Sequence, residues 1–113
     1  MEPLSKFIYI DDNLQVISKL AGHEYFIDDK NAGPGPFLSF LGFQNGPIKE
    51  VGVNGIQNEP VIAILIDRLK FLDGTFPSDY NKAAIASLED ALKHLQARTK
   101  DRKDRGVEGL NKE

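Results

Sequence analysis

Hydrophobic residues in the first half of the chain occur in short runs that are separated by turn-forming residues. The runs are aromatic or β-branched, which is typical of strands, and five of the seven phenylalanines precede residue 44. Asn45-Gly46 is a good hairpin dipeptide and predicts a return strand over residues 48–53. The other predicted strands cover residues 6–10, 14–20, 23–28 and 37–43, with turns at residues 11–13 and 21–22 and a Gly-Pro-Gly-Pro loop at residues 33–36.

The second half of the chain follows a helical period. Ile62, Leu65, Leu69 and Leu72 keep helical spacing up to Asp73-Gly74, although the run at residues 61–66 has the preferences of a strand. We predict that this helix begins near Asn58, with Pro60 in its first turn; a start at Asn54 is the alternative. Apolar residues surround its first two turns, so we expect it to be covered on more than one side.

A second helix is predicted from Ser78 or Asp79 to about Asp104, ending at Gly106. The short connection at residues 74–77 makes the two helices an antiparallel hairpin. The predicted fold class is therefore α+β, an N-terminal antiparallel β-sheet followed by a C-terminal two-helix hairpin. With 113 residues we expect a single domain, 1–113, with a β-rich part at 1–53 and the hairpin at 54–109.

Composition excludes several classes of function. Cysteine is absent, which rules out disulfide scaffolds, thiolate zinc sites and cysteine nucleophiles. The longest apolar run has six residues, and residues 1–6 lack the pattern of a signal peptide, so we expect a soluble protein outside the membrane. His23 and His94 match no metal-ligand spacing, and no catalytic triad or phosphate-loop pattern is present. We expect no metal, no cofactor and no catalytic residue.

Charge is unevenly distributed. The net charge is −3, yet residues 93–105 contain six of the fourteen basic residues against two acids. This segment is therefore +4 and the remainder −7, which suits a small anion better than a long nucleic acid. An arginine row continues the apolar stripe of the second predicted helix. The stripe is Ala84, Leu88, Ala91 and Leu95, and the row is Arg98, Arg102 and Arg105.

Two interpretations of the arginine row are open. At about 100° per residue, the three side chains point within about 60° of one another, on a face that is buried upstream. The helix tip either emerges into water, where its dipole favours cations, or it forms a phosphate site at the end of the hairpin or between subunits. Phe71 is either a core residue or an aromatic face on which a purine stacks.

A set of motif residues spans positions 54–109. It consists of residues 54–59, Asp67-Arg68-Leu69, Phe71, Gly74, Phe76, Asn81, Arg98-Thr99, Arg102 and residues 105–109. In these residues the chain is similar to the hairpin domain shared by phage cyclic-nucleotide sponges that counter the Thoeris and CBASS defences, and most similar to its anti-Thoeris (Thoeris anti-defence) members.

This resemblance implies a non-enzymatic protein that sequesters glycocyclic ADP-ribose in the cytoplasm of the infected host. It further implies a homo-oligomer, a dimer or a hexamer built from dimers, with ligand between subunits. Some members also hold the cyclic trinucleotides of CBASS at separate sites. By motif position, the adenine stacks on Phe71, Arg98 and Arg102 bind the diphosphate, Asn81 makes a polar contact, and Arg105 is a third cation.

Two alternative functions belong to other classes. One is an enzyme that cleaves the same cyclic nucleotide, although arginine is too basic to serve as a general base near neutrality. The other is a structural phage domain that uses the hairpin only for oligomerisation. Ligand recovery after denaturation distinguishes binding from cleavage, and a thermal shift with ligand distinguishes binding from a structural role.

Overall fold

The first part of the chain forms an antiparallel β-sheet. A computed structural model describes residues 6–10, 15–20, 22–29, 38–107 and 109–110, with side chains described in 22–29, 38–107 and 109–110. Its four strands have the order β1-β2-β3-β4, each antiparallel to the next, which confirms the predicted sheet. They are β1 (Lys6–Ile10), β2 (Gln15–Leu20), β3 (Glu24–Asp29) and β4 (Ser39–Gly42). The turn at residues 11–13 and the loop at residues 33–36 lie outside the described residues.

Turn chemistry and aromatic pairs explain the register of the sheet. Leu20 pairs with Glu24 across a tight turn in which Gly22 has a φ of 75°, a conformation that glycine adopts at little cost. Phe26 and Phe40 are paired across β3 and β4, with their ring centroids 5.1 Å apart. Such cross-strand aromatic pairs stabilise one register over its neighbours.

The predicted return strand at residues 48–53 is wrong. Residues Ile48–Val51 instead form a four-residue helix, α1. Pro47 lacks an N–H group for a ladder, while its carbonyl accepts from the N–H groups of Glu50 and Val51. The turn then ends at Gly52, whose φ is 77°. Local hydrogen bonds therefore replace the expected strand pairing.

The partner of the segment after β4 lies further along the chain. Phe43 forms an isolated parallel bridge with Ile56, and the Asn54 side chain both accepts from the Asn45 N–H at 2.8 Å and donates to the Asn45 carbonyl at 2.7 Å. A Cβ atom at Gly55 would lie 2.5 Å from the carbonyl carbon of Phe43, so this approach requires glycine.

The two predicted helices are present with nearly the predicted ends. Helix α2 is Asn58–Thr75, and helix α3 is Asp79–Asp104. Ser78 caps α3, because its Oγ accepts from the N–H groups of Tyr80 and Asn81. At the other end, Gly106 has a φ of 74° and its N–H bonds to the Lys103 carbonyl. Together with the bond from the Val107 N–H to the Arg102 carbonyl, this forms a Schellman motif.

Helices α2 and α3 pack together as the predicted antiparallel hairpin. Its most buried residues are Ile66 and Ile85, at 8% and 9% exposure. The predicted stripe on α3 is wrong at Ala84, which is exposed. Leu88, Ala91 and Leu95 are half-buried as the stripe requires, and the buried residue near its start is Ile85 rather than Ala84. The buried or half-buried positions of α3 are Asn81, Ile85, Leu88, Glu89, Ala91, Leu92, Leu95, Thr99 and Arg102.

The expectation that α2 is covered on more than one side is not met within a single chain. Ile64 is 67% exposed and Leu65 is 46% exposed, so this side of the helix is left uncovered by the described residues.

The chain divides into two compact units. One contains the sheet, as Met1–Asn45 with Val53–Ile56, and the other contains the hairpin, as Gly46–Gly52 with Gln57–Glu113. The single-domain organisation over 1–113 stays a prediction.

Candidate ligand-binding site

Phe71 presents its ring to solvent. The side chain lies in the C-terminal part of α2 and is 66% exposed. The guanidinium carbon of Arg68 lies 6.0 Å from the ring centroid, at the outer limit of a cation–π contact. Within this chain, therefore, Phe71 is not the core residue that one of the two sequence interpretations required.

A shallow groove of about 600 Å³ runs beside this ring. Its volume lies within the range of small-molecule sites, and a ring and a guanidinium group are suitable partners for a base. All of its lining residues belong to α2, so the groove has one wall and needs a second surface to enclose a ligand. The lining residues are Ala63, Ile64, Asp67, Arg68 and Phe71.

Arg68 belongs to the motif residues, but it was not predicted from the sequence as a ligand-binding residue. The signal was available, since a residue three positions before Phe71 lies on the same side of a helix. The charge pattern drew attention to α3 instead.

The three arginines at the C-terminal end of α3, of which Arg105 directly follows the helix, differ in their surroundings. Arg98 is exposed and forms no ion pair with any residue that the structure describes. Arg105 is exposed as well, but its Nε donates to an Asp101 carboxylate oxygen at 3.0 Å. An exposed pair at this spacing contributes only about 0.3–0.5 kcal/mol, so a ligand can recruit Arg105 at little cost.

Arg102 holds the segment that follows α3. Its Nη2 donates to the Val107 carbonyl at 3.1 Å and to the Leu110 carbonyl at 2.7 Å. The residue is half-buried, on the packing face of α3. Of the three arginines, this one is half-buried, whereas Arg98 and Arg105 are exposed, so the predicted row is sheltered at one position and open at two.

Asn81 lies in the first turn of α3. It is half-buried, and its backbone N–H donates to the Ser78 Oγ at 3.4 Å. It is seventeen residues before Arg98 on the same helix, a distance of about 25 Å at 1.5 Å per residue.

The predicted site residues do not meet within one chain. The ion pair between Lys70 and Glu89 places these residues at the same height of the hairpin. Because the helices are antiparallel, Phe71 and Arg98 then lie about 15 Å apart along the hairpin axis. A ligand that contacts both the ring and the arginines therefore needs a second copy of the hairpin.

The connection between the helices contains a closed polar cluster. An Asp73 carboxylate oxygen accepts from the Ser78 N–H at 2.8 Å, and the Lys82 Nζ lies 3.1 Å from the other oxygen. The Ser78 hydrogen bond, followed by that of Lys82, lowers the pKa of Asp73 below its ordinary value of 3.8. This cluster joins the ends of α2 and α3.

The described part of the chain lacks two further features. No group of three or more histidine, aspartate or glutamate side chains there is arranged to hold a metal ion. None of the helices described has the length and apolar character needed to cross a bilayer.

These features define an α+β protein whose C-terminal helical hairpin carries an exposed aromatic ring and several cations. The Acb2/Tad1 hairpin domain matches residues 41–100, about half of the chain, and the chain belongs to this family. This confirms the resemblance drawn from the motif residues.

A relative is known from Bacillus phage SBSphiJ7. The chain is 44% identical over 75 residues to its protein "Thoeris anti-defense 1", which covers 66% of this chain and 53% of that protein. The chain thus spans about half the length of the curated relative that it matches.

Proposed function

We propose that the protein binds glycocyclic ADP-ribose without turnover and so inhibits Thoeris defence in the cytoplasm of the infected host. Family membership and the anti-defence name of the phage relative support the direction of this proposal. The observation that carries it is the exposed Phe71 ring on a hairpin that also bears the exposed cation Arg98. An adenine base with a diphosphate needs a stacking face and guanidinium donors.

In this proposal the adenine stacks on Phe71, and Arg98 and Arg102 bind the diphosphate. Arg105 exchanges its weak pair with Asp101 for a phosphate oxygen, and Asn81 makes a polar contact. Since these residues are separated along the hairpin, each site combines the ring of one subunit with the arginines of another.

The uncovered apolar residues of the hairpin support a homo-oligomer. Ile64 and Phe71 line the same groove of α2 and are 67% and 66% exposed, and neighbouring exposed apolar side chains of this size mark an interaction surface. We propose a dimer or a hexamer built from dimers, to be identified by sedimentation velocity with and without ligand.

The central experiment measures binding and then recovers the ligand. Isothermal titration with glycocyclic ADP-ribose should give a roughly nanomolar Kd, near −12 kcal/mol, because a sponge competes with a receptor for a scarce signal. The complex is then heat-denatured and the released compound analysed by mass spectrometry. Intact ligand supports sequestration.

Each alternative function predicts a different result. Altered product in the released fraction supports a cleaving enzyme. Absence of a thermal shift with ligand supports a purely structural role, because tight binding raises the melting temperature by mass action. Including cyclic trinucleotides in the titration tests the proposal that the protein also binds CBASS signals.

A further inference from the structure

Lys49 lies beside the end of the hairpin that carries Arg102, although the two residues are distant in sequence. Its backbone N–H donates to the Gly109 carbonyl at 3.0 Å. The next carbonyl along the chain, that of Leu110, accepts from Arg102 at 2.7 Å. Two consecutive carbonyls of the tail are thus bound, one by the backbone of α1 and the other by a side chain of α3. This arrangement brings Lys49 close to Arg102.

The Lys49 side chain follows the tail. A Cβ atom added at Gly109 would lie 3.0 Å from the Lys49 Cγ and 3.4 Å and 3.5 Å from its Cδ and Cε. The aliphatic stem therefore lies against Gly109, whose φ of 78° and lack of a side chain make room for it. The residue is exposed, so its ammonium group extends to the surface beyond the stem.

Among the described residues, positive charge at this end is only partly compensated. Lys100 pairs with Asp104 at 2.8 Å, and Arg105 pairs with Asp101. Neither Lys49 nor Arg98 has an ion-pair partner within that part of the chain. Such cations raise the local concentration of small anions.

We propose that Lys49 is a further phosphate-binding residue of the ligand site. Its ammonium group adds a point charge to the guanidinium donors of Arg98 and Arg102, and the Gly109 contact fixes the stem that carries it. The inference rests on the proposed function, because it assigns one more residue to the same diphosphate.

Lys49→Met tests the inference, since methionine keeps much of the apolar stem and removes the charge. We expect the Kd for glycocyclic ADP-ribose in isothermal titration to rise about ten- to hundredfold, the range for losing one charged hydrogen bond. Lys103→Met is the matched control, an exposed lysine at the same end of α3, and it should bind like the wild type. Both variants should keep the wild-type melting temperature and oligomeric state.

Two more variants separate charge from position. Lys49→Arg should recover most of the affinity, because it restores the cation. Gly109→Ala keeps the lysine, but the added methyl group pushes the lysine stem aside. This variant should weaken ligand binding while the helical circular-dichroism signal of the protein persists. Wild-type affinity in Lys49→Met, or an equal loss in Lys103→Met, overturns the inference.

The proposed function can fail separately. A wild-type protein that does not bind glycocyclic ADP-ribose overturns that function. Titration with inorganic pyrophosphate then tests separately whether Lys49 belongs to an anion site. Weaker pyrophosphate binding in Lys49→Met than in Lys103→Met supports the anion site. Equal binding, or no binding by any form, rejects it.

Discussion

The two ends of the hairpin use charged residues in opposite ways. At the connection between the helices, the Lys82 cation meets the Asp73 carboxylate, which also accepts a backbone N–H. At the tail end, Arg102 donates to main-chain carbonyls, and Arg98 has no carboxylate partner among the described residues. The first arrangement neutralises its cation, whereas the tail end, where Lys100 and Arg105 are also paired, keeps Arg98 as an exposed charge.

Under the proposed function, this difference separates stability from binding along one helix pair. A cation already matched by a carboxylate must give up that partner before it binds a phosphate. A solvated cation such as Arg98 keeps its charge for a ligand. The connection end therefore has the character of a structural joint, and we propose the tail end as the anion site.

The largest effect is expected at the arginines. Arg98→Ala should weaken glycocyclic ADP-ribose binding by about a hundredfold or more in isothermal titration, because an enclosed phosphate would lose its charged partner. Arg102→Ala should lose binding as well, with the oligomer intact in sedimentation velocity. Lys82→Ala at the other end should leave the affinity unchanged; a loss there as large as in Arg98→Ala would remove the contrast between the ends.

The ring of Phe71 should have the next largest effect. Phe71→Ala should weaken binding by about 1–3 kcal/mol, the range for stacking one base. Since the ring is mostly exposed, the melting temperature of the ligand-free protein should change little. Phe76→Ala serves as the control, because this residue is also exposed but follows α2. A Phe71→Ala variant that fails to fold would instead identify the ring as part of a core.

Glycine-to-alanine substitutions at the two ends test the comparison through the free energy of unfolding. Gly106→Ala should destabilise the fold by roughly 1–2 kcal/mol in urea unfolding, because alanine is strained in the left-handed conformation of the Schellman motif. Gly74→Ala should stabilise it by about 0.5–1 kcal/mol, since that glycine is helical and has open space where the methyl group would be placed. Equal effects of the two changes would contradict this assignment of the helix ends.

The smallest effect concerns pH. The pKa of Asp73 is lowered on folding, so its contribution to stability is present above the ordinary value of 3.8 and is lost as the pH falls below it. Asp73→Asn should therefore unfold at lower urea concentration than the wild type at pH 7, and the difference should shrink in acid. Lys82→Met should keep most of this pH dependence, because the Ser78 N–H is the larger cause of the shift.

Sequence reasoning predicted the elements whose signals are local. The period of α2, the Ser78 cap and the terminating Gly106 depend on neighbouring residues, and these helix ends are where they were expected. The prediction of a strand at residues 48–53 was wrong because Pro47 and Gly52 favour a helical turn over the hydrogen bonds of a β-ladder. The Asn45-Gly46 pair resembled a hairpin turn, but the residue that pairs with Phe43 is Ile56, which lies beyond the predicted return strand.

The candidate site was only partly predictable, because it depends on contacts between distant residues. The arginines were visible as a charge cluster, but their different surroundings were not, since Arg102 is half-buried while Arg98 and Arg105 are exposed. The contact of Lys49 with Gly109 joins residues that no periodicity relates. The proposal that a second subunit completes the site rests on the distance between Phe71 and Arg98.

The hydrogen bonds from Arg102 to the tail have a consequence for how the protein can change over generations. The guanidinium donates to backbone oxygen atoms, so it binds residues 107 and 110 regardless of which side chains they bear. A phage lineage can therefore vary the chemistry displayed there, substitution by substitution, while the chain path beneath it stays the same.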